Sequence, residues 1–155
     1  MALEIERKFL VNHHEWHAAE KPVGELYRQG YLLADPNKTI RVRLTPSSAY
    51  LTIKGPAVGI TRPEYEYEIP QAEARELLDK FAVSELSKIR YKIKFRDKIW
   101  EVDEFLGDSL GLIVAEIELA AEEEQFELPA WAGIEVTSEK KYSNSSLAAN
   151  PYKNW

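Results

Sequence analysis

The chain has 155 residues, no cysteine and a net charge of −6. The lack of cysteine excludes disulfide bonds, zinc–cysteine sites and thiol nucleophiles, and the acidic balance argues against a nucleic-acid partner, since such proteins are usually basic. Without a signal peptide or an apolar run long enough to cross a membrane, we expect a cytoplasmic protein that forms a single domain over residues 1–155 and has no membrane partner.

The first predicted strand runs from residue 3 to residue 11, because apolar and polar residues alternate along it. Its polar face carries two carboxylates followed by an ammonium group: Glu4, Glu6 and Lys8. Two carboxylates in one row repel each other unless a positive charge lies between them. The row therefore indicates a divalent cation held by the carboxylates, with the lysine facing an anion on that cation.

The rest of the chain reads mostly as further strands separated by turns. The predicted strands cover residues 25–34, 39–45, 49–54, 61–69, 87–95, a stretch around 101–105, and 112–119. An apolar stripe predicts a helix over residues 71–81. Shorter elements are a helical or irregular crossing at 12–20, an acidic helix or turn at 122–126 and a final helix around 145–149.

The charges on the polar strand faces are segregated by sign. Acidic rows occur at Glu4/Glu6, Glu64/Glu66/Glu68 and Glu116/Glu118, and basic rows occur at Arg41/Arg43 and Lys88/Arg90/Lys92/Lys94. Alternation alone fits faces that are simply solvated. However, like charges side by side destabilise a sheet, and an ordinary surface intersperses the two signs.

The alternating strands favour a mainly β (α+β) fold, an antiparallel barrel or sandwich with a few peripheral helices. If the segregated rows converge on one lumen, the fold is an eight-stranded antiparallel β-barrel that forms a charged tunnel. The apolar faces would then point outward, under the helices or under a partner subunit, which makes a homodimer a further expectation. All-carboxylate sites suit Mg²⁺ or Mn²⁺, and paired guanidinium groups suit phosphate oxygens. No GxxxxGK[ST] or GxGxxG motif is present, so a loop would not hold the phosphates.

These residues together resemble the CYTH, or triphosphate tunnel metalloenzyme, superfamily. Its ExExK motif matches Glu4-x-Glu6-x-Lys8, which alone is a weak signal. The chain adds, in order, Arg41-x-Arg43, Lys54, Glu64-x-Glu66, Lys88-x-Arg90, Asp103, Glu116-x-Glu118 and the tail Val136-Thr137…Lys140-Lys141-Tyr142-x-Asn144. Among the family's branches the chain looks most like the short bacterial enzymes that hydrolyse inorganic tripolyphosphate.

The resemblance implies a role for each matching position. Glu4, Glu6 and Glu118 would hold the principal metal with Glu116 nearby, and Glu64, Glu66 and Asp103 would hold a second metal or order its water. The phosphates would be clamped by Lys8, Arg41, Arg43, Lys54, Lys88 and Arg90, while Lys140 would cap the tunnel. Glu68, Lys92 and Lys94 extend these rows beyond the motif. It is therefore open which two of Glu64, Glu66 and Glu68 face the metal.

The attacking water can be activated in two ways. A second metal on the Glu64/Glu66 side would lower its pKa. Alternatively Lys54, expected beside other cations and so disposed to lose its proton, would act as the base, with Tyr31 orienting it. Tyr31 fits a packing aromatic nearly as well.

Several functions other than inorganic triphosphate hydrolysis stay open. A class IV-type adenylate cyclase needs a site for adenine as well, and hydrolysis of thiamine triphosphate or of nucleoside triphosphates is a further family possibility. A polyphosphate-binding module without catalysis would need cations more than carboxylates. A β domain with an ordinary charged surface would tolerate loss of Glu4 and Glu6.

Overall fold

A computed structural model describes residues 2–155. The strands are β1 (Leu3–Val11), β2 (Glu25–Asp35), β3 (Lys38–Leu44), β4 (Ala49–Lys54), β5 (Thr61–Glu68), β6 (Ser84–Phe95), β7 (Lys98–Phe105), β8 (Ile113–Glu118) and β9 (Ala132–Glu135). The helices are α1 (His13–Ala18), α2 (Gln71–Phe81) and α3 (Asn144–Ala149). None of the helices in this part of the chain has the length and apolarity needed to cross a membrane.

Eight antiparallel strands close into a barrel in the order β5-β4-β3-β2-β6-β7-β8-β1, and pairing of β1 with β5 completes the ring. This confirms the predicted architecture. The ninth strand, β9, was not predicted. It pairs with the second half of β1, where β5 no longer reaches. Its four residues, Ala-Gly-Ile-Glu, show no alternation that marks a strand, so only the free edge of β1 explains its conformation.

The boundaries of the other elements differ little from expectation. Strand β6 begins at Ser84, three residues earlier than predicted, because Ser84 pairs with Tyr31 and continues the ladder between β2 and β6. The acidic stretch at 122–126 contains a turn rather than a helix. Helix α3 begins at Asn144, where the hydroxyl of Ser143 accepts a hydrogen bond from the Ser146 amide and caps the helix.

The inner face of the barrel changes character along its length. The alternation that points Glu6, Lys88 and Glu116 inward also points apolar residues inward at one end, where they pack against α3 and the segment before it. This inner cluster contains Leu10, Leu86, Phe105, Leu112, Val114, Val136, Tyr142 and Leu147. One end of the lumen is therefore filled with apolar side chains, and the charged portion lies beyond it.

Two outer clusters hold the barrel wall in place. The buried indoles of Trp16 and Trp131 pack edge to face over Trp100 and the outer faces of β1, β7 and β8. On the other side, α2 packs against β2–β4 through Leu78. Gly30 allows this approach, since a Cβ atom there would lie only 2.8 Å from the Leu78 side chain.

Part of the outer face has no covering element within residues 2–155. Ile53, Tyr65 and Tyr67 on β4 and β5 are 37%, 44% and 56% exposed. These apolar side chains lie on the face through which the expected homodimer would form, and the homodimer stays a prediction.

Candidate active site

The charged part of the barrel encloses a cavity of about 200 Å³. Its lining comes from β1–β8 and from the start of α3, because each strand turns alternate side chains inward. The lining residues are Glu4, Glu6, Lys8, Tyr31, Thr39, Arg41, Arg43, Lys54, Arg62, Glu64, Glu66, Arg90, Glu101, Glu116, Glu118, Ser143, Asn144 and Ser145.

An acidic wall forms where β1 and β8 pair. Glu6 lies opposite Glu118, and Glu116 lies between Lys8 on β1 and Glu101 on β7. Burial, followed by the repulsion of neighbouring carboxylates, raises the pKa of both Glu116 and Glu118. The wall therefore carries more negative charge than its own surroundings neutralise.

Lys8 lies within this acidic wall. Its Nζ atom is 3.5 Å from Glu6 Oε1 and 3.9 Å from Glu116 Oε1. Burial alone would lower the pKa of Lys8, but the carboxylates around it outweigh burial and raise its pKa above the usual value. Lys8 is therefore a charged ammonium group on the cavity surface.

Lys54 bridges two carboxylates from different strands. Its Nζ atom is 2.9 Å from Glu4 Oε2 and 3.4 Å from Glu64 Oε2. Burial raises the pKa of Glu4, and the charge of Lys54 partly offsets that effect. The sequence predicted other cations beside Lys54, whereas the ion-pair partners found among the described residues are the carboxylates of Glu4 and Glu64.

A basic wall lies across β3 and β6. Burial, with the nearby guanidinium groups of Arg41 and Arg90, lowers the pKa of Arg43 to about 10. Within residues 2–155, the one side-chain hydrogen bond of Arg43 runs from Nε to Gln29 Oε1 at 3.0 Å, so Arg43 has no carboxylate partner. Arg41 contacts Thr52 Oγ1 at 3.1 Å and Glu66 Oε2 at 3.5 Å, yet its buried Nε has no acceptor in the described part of the chain.

Asp103 and Lys88 lie behind the cavity wall rather than on it. Asp103 accepts hydrogen bonds from Arg90 Nε and Nη2 at 2.8 and 2.9 Å and from Lys88 Nζ at 2.8 Å. Burial opposes ionisation of Asp103, but Arg90 and Lys88 together hold its pKa below the usual range. In this arrangement Asp103 orients Arg90, whose Nη1 also donates to Glu101 at 3.1 Å.

The remaining predicted residues divide into two groups. Glu64, Glu66 and Tyr31 line the cavity, and Tyr31 lies opposite Arg41 in the β2–β3 ladder. Glu68, Lys92, Lys94 and Lys140 are exposed and do not line it. The structure thus brings together Glu64 and Glu66 from the acidic row of β5 and leaves the third member outside.

Sequence reasoning missed several lining residues. Arg62 and Glu101 each lie two positions before a predicted site residue on the same strand, so the alternation already contained the signal. Thr39 precedes Arg41 in the same way. Ser143, Asn144 and Ser145 reach the cavity from α3, and their contribution depends on where the C-terminal segment packs.

The donor set fits a hard divalent cation. The acidic wall offers only carboxylate oxygens, which Mg²⁺ and Mn²⁺ prefer, and burial together with the neighbouring carboxylates raises the pKa of Glu116 and Glu118. In residues 2–155 no three histidine or acidic side chains gather closely enough to hold a metal. The reason is visible in the ion pairs, since Glu4 and Glu6 turn toward lysines.

Comparison with known proteins gives consistent matches. The family model for the CYTH domain matches residues 2–152. An inorganic triphosphatase from Acetivibrio thermocellus is 49% identical over 156 residues, covering 100% of this chain and 99% of that protein. One from Nitrosomonas europaea is 36% identical over 154 residues, covering 94% and 96%. A crystal structure of an inorganic triphosphatase superposes with a TM-score of 0.66 at 32% identity, covering 96% and 95%.

Proposed function

Because this chain belongs to the CYTH domain family, we propose that it is a hydrolase that converts inorganic tripolyphosphate and water to pyrophosphate and orthophosphate. Its relatives with matching full-length coverage are inorganic triphosphatases. Family membership also implies dependence on a divalent metal ion.

The observation that carries this proposal is the unpaired charge of Arg43. This guanidinium lies in the cavity near those of Arg41 and Arg90, with no carboxylate partner among the described residues. Three guanidinium groups that share a small, partly enclosed space repel one another unless an anion joins them. Since guanidinium groups match phosphate geometry, a short polyphosphate is the anion we assign to this space.

The acidic wall supplies the other half of the site. We propose that Glu4, Glu6, Glu116 and Glu118 hold Mg²⁺ or Mn²⁺. When bound, such a cation neutralises phosphate charge and lowers the pKa of a coordinated water. The carboxylates turn toward Lys8 and Lys54 in the present arrangement, so binding requires that these ion pairs exchange partners.

The chain's own side chains bind and polarise the substrate. Arg41, Arg43 and Arg90 donate hydrogen bonds to the phosphate oxygens, and Asp103 keeps Arg90 in position. The oxygen of water forms a bond to the terminal phosphorus, the bridging P–O bond breaks, and the pyrophosphate oxygen keeps the bonding electrons. Cations that face this leaving group stabilise the charge that develops on it, which is the main requirement of phosphoryl transfer.

The attacking water belongs on the side of β5. Glu64 and Glu66 line the cavity there, and Lys54 links Glu64 to Glu4. We propose that the two glutamates accept hydrogen bonds from the water and that Lys54 positions Glu4 and Glu64. The contacts of Lys54 with carboxylates support this positioning role rather than that of the base. We propose that Tyr31, which lines the same cavity, contacts the phosphates.

The size and lining of the cavity favour an inorganic substrate over an organic one. Its volume of about 200 Å³ is below the roughly 300–1,000 Å³ typical of sites for drug-sized ligands. Among residues 2–155, Tyr31 is the one aromatic residue in the lining. An adenylate cyclase, or an enzyme for thiamine or nucleoside triphosphates, needs additional apolar surface for the organic group. A purely binding module would not need so many carboxylates.

The decisive experiment measures orthophosphate release from tripolyphosphate, ATP and pyrophosphate with Mg²⁺, with Mn²⁺ and with chelator. We expect release from tripolyphosphate to be fastest and to stop in chelator. Formation of a cyclic nucleotide from ATP with no release from tripolyphosphate would replace this proposal with a cyclase. Metal-linked binding without any turnover would identify a binding module.

A further inference from the structure

Five side chains form a continuous chain of hydrogen bonds from the barrel wall to helix α3. Lys88 Nζ donates to Asp103 Oδ2 and to Asn144 Oδ1, each at 2.8 Å. Gln29 Nε2 donates to the same Asn144 oxygen at 3.0 Å, and Gln29 Oε1 accepts from Arg43 Nε at 3.0 Å. Asn144 is therefore connected both to the buried Lys88–Asp103 pair and, through Gln29, to Arg43.

This arrangement fixes the orientation of the Asn144 amide. Lys88 has only donors, and the Gln29 atom that meets Asn144 is an amide nitrogen whose partner oxygen is already used by Arg43. Rotating the Asn144 amide by half a turn would bring its NH₂ group against two donors. The side-chain oxygen must therefore face the network, and the NH₂ group must face away from it.

Asn144 lines the cavity together with Arg43 and Arg90, whereas Lys88 and Gln29 do not, so the half of the amide that faces away from Lys88 and Gln29 is the one available to the cavity. Within residues 2–155 the Asn144 Nδ2 atom has no hydrogen-bond acceptor, since both hydrogen bonds of this side chain use its oxygen. A neutral donor with a fixed direction thus lies next to the basic wall, near the end of the lumen that the apolar cluster fills.

We propose that Asn144 is a substrate-binding residue whose NH₂ group donates a hydrogen bond to a phosphate oxygen near the apolar end of the lumen. Lys88 and Gln29 are the positioning residues that aim it. This inference rests on the proposed function, because it takes the anion in the cavity to be a polyphosphate. It assigns to the C-terminal helix a direct contact with substrate in addition to its packing role.

The test compares tripolyphosphate binding by Asn144→Asp, Asn144→Ala and the wild-type protein, using calorimetry in chelator so that no turnover occurs. Asn144→Asp keeps the acceptor for Lys88 and Gln29 but loses the donor. Asn144→Ala loses the donor without adding charge. We expect both variants to bind about ten- to a hundredfold more weakly, the loss typical of one hydrogen bond to a charged group.

A matched control is Asn150→Asp, which makes the same change at the exposed C-terminal end of α3. It should bind as the wild type does. Wild-type affinity in both Asn144 variants would overturn the inference, as would weakening in only one. Weaker tripolyphosphate binding by Asn144→Ala alone would indicate that Asn144 only positions its neighbours. Weaker binding by Asn144→Asp alone would indicate that the added negative charge repels the substrate.

The proposed function is judged separately by orthophosphate release from the wild type with Mg²⁺. Wild-type protein that binds tripolyphosphate in chelator but never hydrolyses it refutes the hydrolase assignment and leaves the Asn144 comparison readable. Wild-type protein that neither binds tripolyphosphate in chelator nor hydrolyses it with Mg²⁺ overturns both.

Discussion

Arg90 and Asp103 form a doubly hydrogen-bonded ion pair across β6 and β7, with Nε to Oδ1 at 2.8 Å and Nη2 to Oδ2 at 2.9 Å. The two residues are directly opposite in the ladder, and both are buried. Lys88 completes the cluster at 2.8 Å. One carboxylate is therefore the shared hydrogen-bond acceptor of Arg90 and Lys88 inside the barrel wall, and it orients the guanidinium that reaches the cavity.

Replacing Asp103 with asparagine should destabilise the protein strongly. The amide cannot accept both hydrogen bonds of Arg90, Lys88 loses its carboxylate partner and Arg90 keeps only Glu101. Breaking such a buried pair typically costs about 3–5 kcal/mol in the free energy of unfolding. Urea denaturation of the wild type and of Asp103→Asn measures the difference in their free energies of unfolding. Asp108→Asn, which breaks the exposed pair with Lys153, is the control and should change stability by less than about 0.5 kcal/mol. Stability that is unaffected in Asp103→Asn, with loss of metal binding, would instead support a metal-ligand role.

The stabilisation by Asp103 should depend on pH in a definite direction. Its pKa in the folded protein lies below the value of about 3.9 found in unfolded chains. Its contribution is therefore fully present above that value and is lost as the pH falls through the folded-state pKa. The difference in unfolding free energy between wild type and Asp103→Asn should be constant between about pH 5 and 8 and shrink below about pH 4. A difference that grows on acidification would contradict this assignment.

Metal binding should stabilise the protein through the cavity carboxylates. At a metal concentration about 100 times the dissociation constant, the gain is about 2.7 kcal/mol, seen as a rise in melting temperature. Glu6→Gln should reduce that rise because it removes a proposed metal ligand, and Glu66→Gln should reduce it less, because that cavity carboxylate is proposed to hold water beside the metal. Glu68→Gln, two positions further along β5 and exposed, should keep it. An equal loss in Glu66→Gln and Glu68→Gln would mean that the whole row of β5 contacts the metal.

Arg43 should be required for substrate binding and turnover in a way that lysine cannot replace. A guanidinium donates to Gln29 and to phosphate at the same time, whereas an ammonium group is a single point of charge. We expect both Arg43→Ala and Arg43→Lys to lower kcat/KM for tripolyphosphate by about a hundredfold or more. Lys94→Ala, which removes a cation from the exposed end of β6, should leave kcat/KM within about twofold of the wild-type value. Full activity of Arg43→Lys would show that charge alone suffices.

Two predicted site residues, Asp103 and Lys54, have partners in the structure that the sequence did not indicate. Asp103 has the spacing of an inward-facing residue, and it does point inward, but Arg90 and Lys88 use its oxygens. Lys54 was expected to be close to cations and instead meets Glu4 and Glu64 from β1 and β5. In both cases the face of the strand was correct, but the ion-pair partners depend on the strand register: Arg90 and Glu64 lie directly opposite Asp103 and Lys54, and Glu4 comes from the distant strand β1.

The contacts of helix α3 were even less predictable from the sequence. Its residues were predicted to be helical, but nothing in their pattern placed Asn144 next to Lys88, 56 positions earlier in the chain. That contact depends on Leu147 and Tyr142 packing into the apolar end of the barrel.

The sequence alone was sufficient to predict the barrel and to identify most of the charged residues in its lumen. The period of two assigns each side chain to one face of its strand, and rows of like charge on one face require opposite charges nearby, which a closed lumen supplies. Only the tertiary structure decided the partners: the exclusion of Glu68, the burial of Asp103 between two cations, and the approach of Asn144 to the cavity. Alternation specifies direction but not depth along the barrel or the register with a distant strand, and those two quantities set which charges meet.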